Sequence, residues 1–495
     1  MYASLLHFLS IHSQQQVDRH DAPSLVVATG ESSIEQYQRE SYDVVKEELS
    51  GLLSVLCCEA TAGHHLCRML SLTCLSAIAA VERRAVLGTG SLLSSYCSSA
   101  LLDQLSQQGQ LRRLLDGLEQ DDAQLATLVT SGGDLRPLYV CEARCALLAQ
   151  LALTPDGARQ LLQAGLMARL SKMQVLSCGL EAGGGVTLGA IKSAVRICQA
   201  VVSSLGSQDW SAGSQIADFL TSHMATIGGI LQPPSPGVPL ETAALVAGVV
   251  ASTAAAGQTN TSVLLLYQQL TSLLPHLLQQ PQADAQGGSD DPDGLLLRLQ
   301  IISSCLTCCS HHLLVSPRTV TFHPLVDTRS TKTLTLGTLL QALRFAIRTF
   351  KEAKISDSAN NNPSSSNDNC TTAALKQQQL SAHITECGTF ILWRHLHTFL
   401  QGGSQQPLLQ ASAMSNFLQG GPQSLLQTPS MSVALPPQSL TLSPLQAASL
   451  KEQVGEAFSD LVTDLQNLHQ QFSATTSHVT FLPAVTTRVR KMLVT

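Results

Sequence analysis

One stretch constrains this chain more than any other: Ile384 to Leu400, ITECGTFILWRHLHTFL. Ile384, Cys387, Phe390, Ile391, Leu392, Trp393, Leu396, Phe399 and Leu400 fill it with apolar groups, with no proline and a single glycine, Gly388. The pattern predicts a helix of about four to five turns. Its apolar surface covers more than half the circumference, so the helix must be packed between neighbours from its own chain or from a partner. Both flanks, Ser356 to Thr372 and Gln401 to Ser443, are low in complexity. The helix is therefore an island that has to dock backwards onto the body of the chain.

Composition says what kind of body that is. Hydrophobic residues make up 44% of the 495 positions, aromatic residues only 4% and charged residues 13%, where a soluble protein carries about 25% charged residues. Leu and Ala carry the core, whereas a β-sandwich would draw on more Val, Ile, Tyr and Trp. Stacked pairs of short helices suit these side chains better.

Taken in order, the chain reads as helix after helix. Tyr2, Leu5, Leu6 and Leu9 form the first, with no polar lead-in, as in a chain cut from something longer. Val45, Leu49, Leu52 and Leu56 form a long second helix broken at Thr61-Ala62-Gly63, and Leu66, Met69, Leu70, Thr73 and Ala77 share one side of the next. Further stripes are Leu111, Leu114, Leu115 and Leu118; Leu162, Leu166, Leu170 and Met173 behind a Thr154-Pro155 cap; Ile191, Val195, Cys198 and Val202; and Ile216, Phe219, Leu220 and Ile227. Beyond a polar loop at Gln279 to Asp293 lie a helix at Leu295 to Leu314 and a one-faced helix carrying Leu336, Leu339, Leu340, Leu343, Ile347 and Phe350. Ser443-Pro444-Leu445-Gln446 reads as a capping box that opens a heptad seam of Val454, Phe458, Leu461, Leu465, Leu468 and Phe472. Pro483 is expected to interrupt the final helix. The fold class expected is all-α, an α-solenoid of stacked antiparallel helices with disordered inserts near the C-terminus and no fixed repeat length.

The formal net charge of −6 and the lack of any long Lys/Arg run argue against nucleic acid as a ligand. The cysteines sit mostly inside apolar helical runs and show no secreted disulfide pattern, which points to a reducing compartment. Met1 to Ile11 lacks the basic region and cleavage site of a signal peptide. The longest bland apolar run, Ala243 to Ala256, falls short of the roughly 20 residues a spanning helix needs.

Chemistry-bearing clusters are few. Cys305, Cys308, Cys309, His311 and His312 resemble the start of a zinc site but lack a second ligand pair at finger-like spacing, so buried thiols are the expected reading. His64-His65 lacks the spacing of a zincin, Gly183-Gly184-Gly185 lacks the Gly-Lys-Ser/Thr of a phosphate loop and reads as a flexible loop, and no Gly-x-Ser-x-Gly elbow occurs. No cofactor and no enzymatic activity are expected. Phe-Gly dipeptides are absent.

Several strings, in order, carry a resemblance. They are Glu59 to His64 with Arg68 to Leu72; Arg113 to Leu118 with Asp121-Asp122, Leu138-Tyr139 and Glu142; and Leu161 to Leu166 with Arg169-Leu170 and Gln174-Val175. Ala212-Gly213, Phe219-Leu220 and Ser222-His223 follow, and finally Glu386-Cys387 with Phe390 to Leu396. In these the chain resembles the C-terminal part of the large inner-ring scaffold nucleoporin of the nuclear pore complex (nucleoporin 205 in vertebrates, nucleoporin 192 in fungi), of which it would be roughly the last quarter. The resemblance implies a structural α-solenoid at the nuclear envelope whose tail holds a helical segment of the linker nucleoporin. Its partners would be other inner-ring nucleoporins, with no nucleic acid and no direct membrane span.

The expected organisation is a solenoid body at 1–353, disordered inserts at 354–373 and 402–443, an apolar tail helix at 374–401 and a helical tail at 444–495. Phe390, Trp393, Leu396, Phe399, Phe458, Leu461 and Leu465 are the candidate partner-binding residues, with internal core as the plainer role for each. A soluble helical-repeat nuclear transport adaptor and, more distantly, a zinc-dependent enzyme are the rival readings. Ser235, Ser316, Thr428 and Ser443 each precede proline and are candidate phosphorylation sites.

Overall fold

The computed structural model describes residues 51–88, 100–206, 209–232, 238–258, 260–279, 292–315, 321–326, 334–359, 368–400, 442–473 and 481–494. The helices expected at Tyr2 to Leu9 and over Val45 and Leu49, and the proline-directed Ser235, Ser316 and Thr428, lie outside these. The described chain is all-α, of the helix-stacking solenoid class; among the described residues, extended pairing is limited to the isolated bridge between His323 and Thr335. Two compact units, Met1–Leu266 and Tyr267–Thr495, divide it.

The first unit contains α1 (Gly51–Ala62), α2 (His65–Gly88), α3 (Ala100–Gln107), α4 (Gln110–Ser131), α5 (Arg136–Ala152), α6 (Pro155–Gln163), α7 (Leu166–Leu170), a 3₁₀ turn (Val175–Ser177), α8 (Gly179–Leu205), α9 (Trp210–Ser222), α10 (Met224–Ile230) and α11 (Leu240–Ala255). Local chemistry sets the boundaries. Thr154 Oγ1 accepts from Gly157 N at 3.2 Å to cap α6, with Pro155 as its first residue. Asp209 caps α9 through Ala212 N at 3.0 Å. Gly109 and Gly165 take left-handed φ of 67° and 82° ahead of α4 and α7, where a side chain would be strained. The triple glycine expected as a flexible loop lies inside α8, which breaks at Gly184 (φ 47°, ψ −129°). Helix propensity on either side continues the helix, and the glycine absorbs the kink.

Helix α5 is the centre of this unit and lies against α2, α4, α6 and α8. Its buried row of Leu138, Cys141, Cys145, Leu148 and Ala152 explains why: apolar groups recur every three to four residues, and Arg144 among them is fully enclosed.

Helix α12 (Thr261–Gln279) spans the division between the units. The second unit continues with α13 (Pro292–Val315), α14 (Leu336–Ala359), α15 (Asp368–Leu400), α16 (Pro444–Ser473) and α17 (Phe481–Val494). Helix α15 contains the island stretch and does dock backwards, along α14 and α13, with α17 laid on it and α16 against α17 and α14. Gly388 sets the closest approach: a Cβ there would stand 2.8 Å from Leu343 Cδ2 of α14. The capping box of α16 forms as the sequence implies, Gln446 N to Ser443 Oγ at 3.3 Å and Ser443 N to Gln446 Oε1 at 3.0 Å.

Several boundaries differ from expectation. Helix α14 runs to Ala359 and α15 begins at Asp368, inside the stretch 354–373 expected to lack structure. A polar segment extends a helix readily once an apolar face has nucleated it. Pro483 does not interrupt α17; it sits in the first turn, where the missing N–H has no intrahelical acceptor to lose. Two helical stretches, His65–Arg83 and Gly184–Leu205, are long and apolar enough to cross a membrane by length and composition, longer than the Ala243 to Ala256 run. Both send Leu72, Leu75, Ile78, Ile191, Val195 and Ile197 into the unit's own core.

Candidate partner-binding site

The tail residues singled out by their apolar stripes separate into two groups. Phe390, Leu396 and Phe399 of α15 and Phe458, Leu461 and Leu465 of α16 are buried in the packing of the second unit. Trp393 is only partly covered. The helical spacing of Phe390, Trp393 and His397 lines their rings along one flank of α15, with centroids 6.0 Å apart for the first pair and 6.1 Å for the second. Arg394 of α15 and Arg488 of α17 bring their guanidinium carbons to 5.7 and 5.6 Å from the indole centroid. Such cation–π contacts are worth about 0.5–1 kcal/mol each at an open site. Burial draws the Arg394 pKa downward from its ordinary value.

Two residues along, His395 is enclosed and fastens a passing segment to the same helix. Its Nδ1–H donates to Ile391 O at 3.0 Å, while Nε2 accepts from the backbone N–H groups of Thr321 and Phe322, each at 3.2 Å. Those two N–H donors require a bare Nε2 and so select the tautomer. Burial pushes the imidazole pKa down to about 4. Downstream, His323 N donates to Leu334 O at 2.7 Å and Leu336 N to His323 O at 2.9 Å, which ties the segment to the start of α14. Sequence reasoning passed over His395; a histidine inside a mostly apolar stretch was the available signal.

The thiol cluster is apolar in character. Cys305, Cys308 and Cys309 are buried on α13, and Cys387 is buried on α15. Burial lifts the thiols of Cys309 and Cys387 to about 12, so both stay protonated at neutral pH. The Cys387 Sγ lies 3.6 Å from His383 Nε2, and that nitrogen lies 3.0 Å from Thr307 Oγ1. A protonated, enclosed thiol is a poor nucleophile and a poor metal ligand. Among the described residues no group of three or more His, Cys, Asp or Glu comes together to hold a metal ion.

Two polar constellations in the first unit escaped sequence reasoning. Arg68 of α2 and Arg144 of α5 both bind Asp121 of α4, at 2.9 and 2.6 Å, with all three side chains enclosed. His223 Nδ1 lies 2.9 Å from Ser177 Oγ, and its Nε2 lies 2.9 Å from Leu170 O. Hydroxyl against imidazole is the geometry of an activated nucleophile, but here it is a joint: Thr226 Oγ1 donates to Leu176 O at 2.7 Å beside it, and Asp122 accepts from Gln174 N and Val175 N, each at 2.9 Å. These contacts knit the 3₁₀ turn to α4, α7 and α10.

Residues 1–243 match the family described as nuclear pore complex scaffold, nucleoporins 186/192/205. Over that part, the chain is similar to nucleoporins of the 192/205 type. The chain is 29% identical to human nuclear pore complex protein Nup205 over 287 residues, 52% of this chain and 13% of that protein. It is 29% identical to Drosophila melanogaster Nup205 over 265 residues, 48% of this chain and 12% of the relative. The match thus spans a small part of these nucleoporins. The buried polar joints of the first unit, with Arg68, Asp121, Arg144, Ser177 and His223, fall within the segment matched to the nucleoporin family, whereas Trp393 and the rest of α15 lie beyond it.

Proposed function

We propose that this chain is a structural scaffold component of the nuclear pore complex inner ring, located at the nuclear envelope, that binds helical segments of other nucleoporins. The observation that carries the reading is the family match over residues 1–243. Helix stacking within each unit supports it, because the grooves between stacked helices accept the apolar stripe of a partner helix. The tail, 374–401 with 444–495, carries the partner-binding surface. In it Trp393 meets the partner, while Phe390, Leu396, Phe399, Phe458, Leu461 and Leu465 form the platform that holds the indole in place. The linker nucleoporin's helical segment is the proposed occupant. The chain works by holding partners, and catalysis has no part in its task.

The test is an affinity pull-down of the tagged chain from nuclear extract with partners identified by mass spectrometry. Inner-ring nucleoporins are expected, in amounts reduced by Trp393→Ala. Recovery of soluble cargo and a small GTPase in their place would overturn the reading in favour of a transport adaptor.

A further inference from the structure

We propose that the two guanidiniums framing Trp393 receive a carboxylate-bearing segment of a partner protein, an acidic helix lying over the junction of α15 and α17. The inference rests on the scaffold reading above and adds the chemistry that selects the partner.

The junction is basic in a chain that is acidic as a whole, with a formal net charge of −6. Helix α17 carries Arg488, Arg490 and Lys491 and no Asp or Glu, and α15 carries Arg394, with its nearest acid, Glu386, two turns before Trp393. Arg394 and Arg488 form no ion pair with a described residue; their described partner is the indole they share. A guanidinium stacked on a ring keeps its N–H donors available, and a carboxylate accepts two of them in parallel. Arg394 is partly enclosed, and burial already disfavours its charge. An arriving anion removes that penalty, which makes the position more selective for negative charge than a fully solvated arginine.

The chain's own adjoining segments cannot supply the anion, since 401–441 after α15 and 474–480 before α17 contain no Asp or Glu. With no acid in these flanking segments, the proposed occupant is a separate molecule. Phosphate-rich ligands fit less well: an anionic membrane surface is read by about four to eight clustered Lys or Arg, and of the four basic residues at this junction only Arg394 and Arg488 frame the ring. A partly exposed indole between two cations instead matches a helix whose acidic groups, three or four positions apart on one face, straddle an apolar contact.

The experiment uses the full chain with Trp210→Phe, so that Trp393 is the sole indole of the two tryptophans and its fluorescence reports the site. The probes are an alanine-glutamate helical peptide of about 15 residues, the same peptide with glutamine in place of glutamate, and phosphatidylserine vesicles. The acidic peptide is expected to change Trp393 emission saturably, with affinity falling at high salt and dropping about tenfold in Arg394→Gln/Arg488→Gln. Arg488→Gln alone, at an exposed position that does not threaten folding, is expected to weaken binding about threefold. Equal binding of the glutamine peptide, no loss in Arg488→Gln, or a response to vesicles alone overturns the proposal. The pull-down separates the two levels. Inner-ring proteins captured equally by wild type and Arg488→Gln would sink the acidic-partner inference and leave the scaffold standing, whereas capture of no nucleoporins would remove the scaffold reading itself.

Discussion

Gly117 of α4 lies so close to Arg144 of α5 that a Cβ at residue 117 would overlap Nη1 of the guanidinium. Arginine ends are normally free to swing away, but this one is fully enclosed and held by Asp121 at 2.6 Å and Leu114 O at 3.2 Å. Gly117→Ala should therefore destabilise the first unit by about 2–4 kcal/mol, since displacing one partner of a buried pair costs about 3–5 kcal/mol against a gain of about 1 kcal/mol in helix propensity. Urea denaturation followed by circular dichroism checks it; unchanged stability would mean that the guanidinium relocates at little cost.

Asp121 serves two arginines, so its removal leaves both uncompensated. Asp121→Asn is expected to cost about 3–5 kcal/mol. The triple replacement Arg68→Met, Asp121→Leu, Arg144→Met removes every charge of this cluster and should recover part of that loss. A triple variant less stable than the single one would contradict this account.

Gly388→Val tests the approach of α15 to α14. The added groups meet Leu343, whose Cδ2 already lies 2.8 Å from the site of a Cβ. Overpacking of this kind costs about 1–3 kcal/mol. A thermal melt should show the loss, and Leu343→Ala in the same chain should return part of it by making room.

His395 makes the second unit acid-sensitive. Its folded pKa of about 4 lies below the ordinary value of 6.5, so its contribution is present above pH 6.5 and is lost as pH falls toward 4. The full loss is about 3 kcal/mol. Burial lowers His311, His312 and His397 in the same direction, while Glu386, raised by burial, acts in the opposite one. The contribution is thus read as a difference: stability of wild type against His395→Gln, measured from pH 7.5 to 4, should converge toward low pH. Parallel profiles would show that His395 is not held neutral.

Leu396→Ala and Trp393→Ala separate platform from contact. Leu396 is fully buried, and its truncation should cost about 2–5 kcal/mol. Trp393 keeps part of its surface exposed, and its loss should cost less while removing both cation–π contacts. A tryptophan variant that melts lower than the leucine variant would place Trp393 in the core.

Much of this fold follows from local pattern. The apolar stripe of Ile384 to Leu400, the cap at Thr154-Pro155 and the capping box at Ser443 to Gln446 each form where the residues imply, because a helix and its cap are decided within about four residues. Gly183 to Gly185 and Pro483 were misjudged for a related reason. A helix breaker is judged by its own propensity, yet neighbouring helical segments and position in the first turn decide what it does.

What the sequence by itself determined is that the chain stacks helices, where most of them run, and that Ile384 to Leu400 must be covered. Which face of that stretch stays open was decided only by tertiary structure. The same stripe offers Phe390, Trp393, Leu396 and Phe399 on equal terms, and packing on α13, α14 and α17 encloses all but Trp393. Arg68 meets Asp121 across 53 positions, His395 meets Phe322 across 73, and Arg488 reaches the Trp393 ring from a separate helix. Helical periodicity carries no information on contacts at such separation. Charge and hydrogen-bond partners are chosen by where packed helices bring them, and a local pattern specifies only that they must pack.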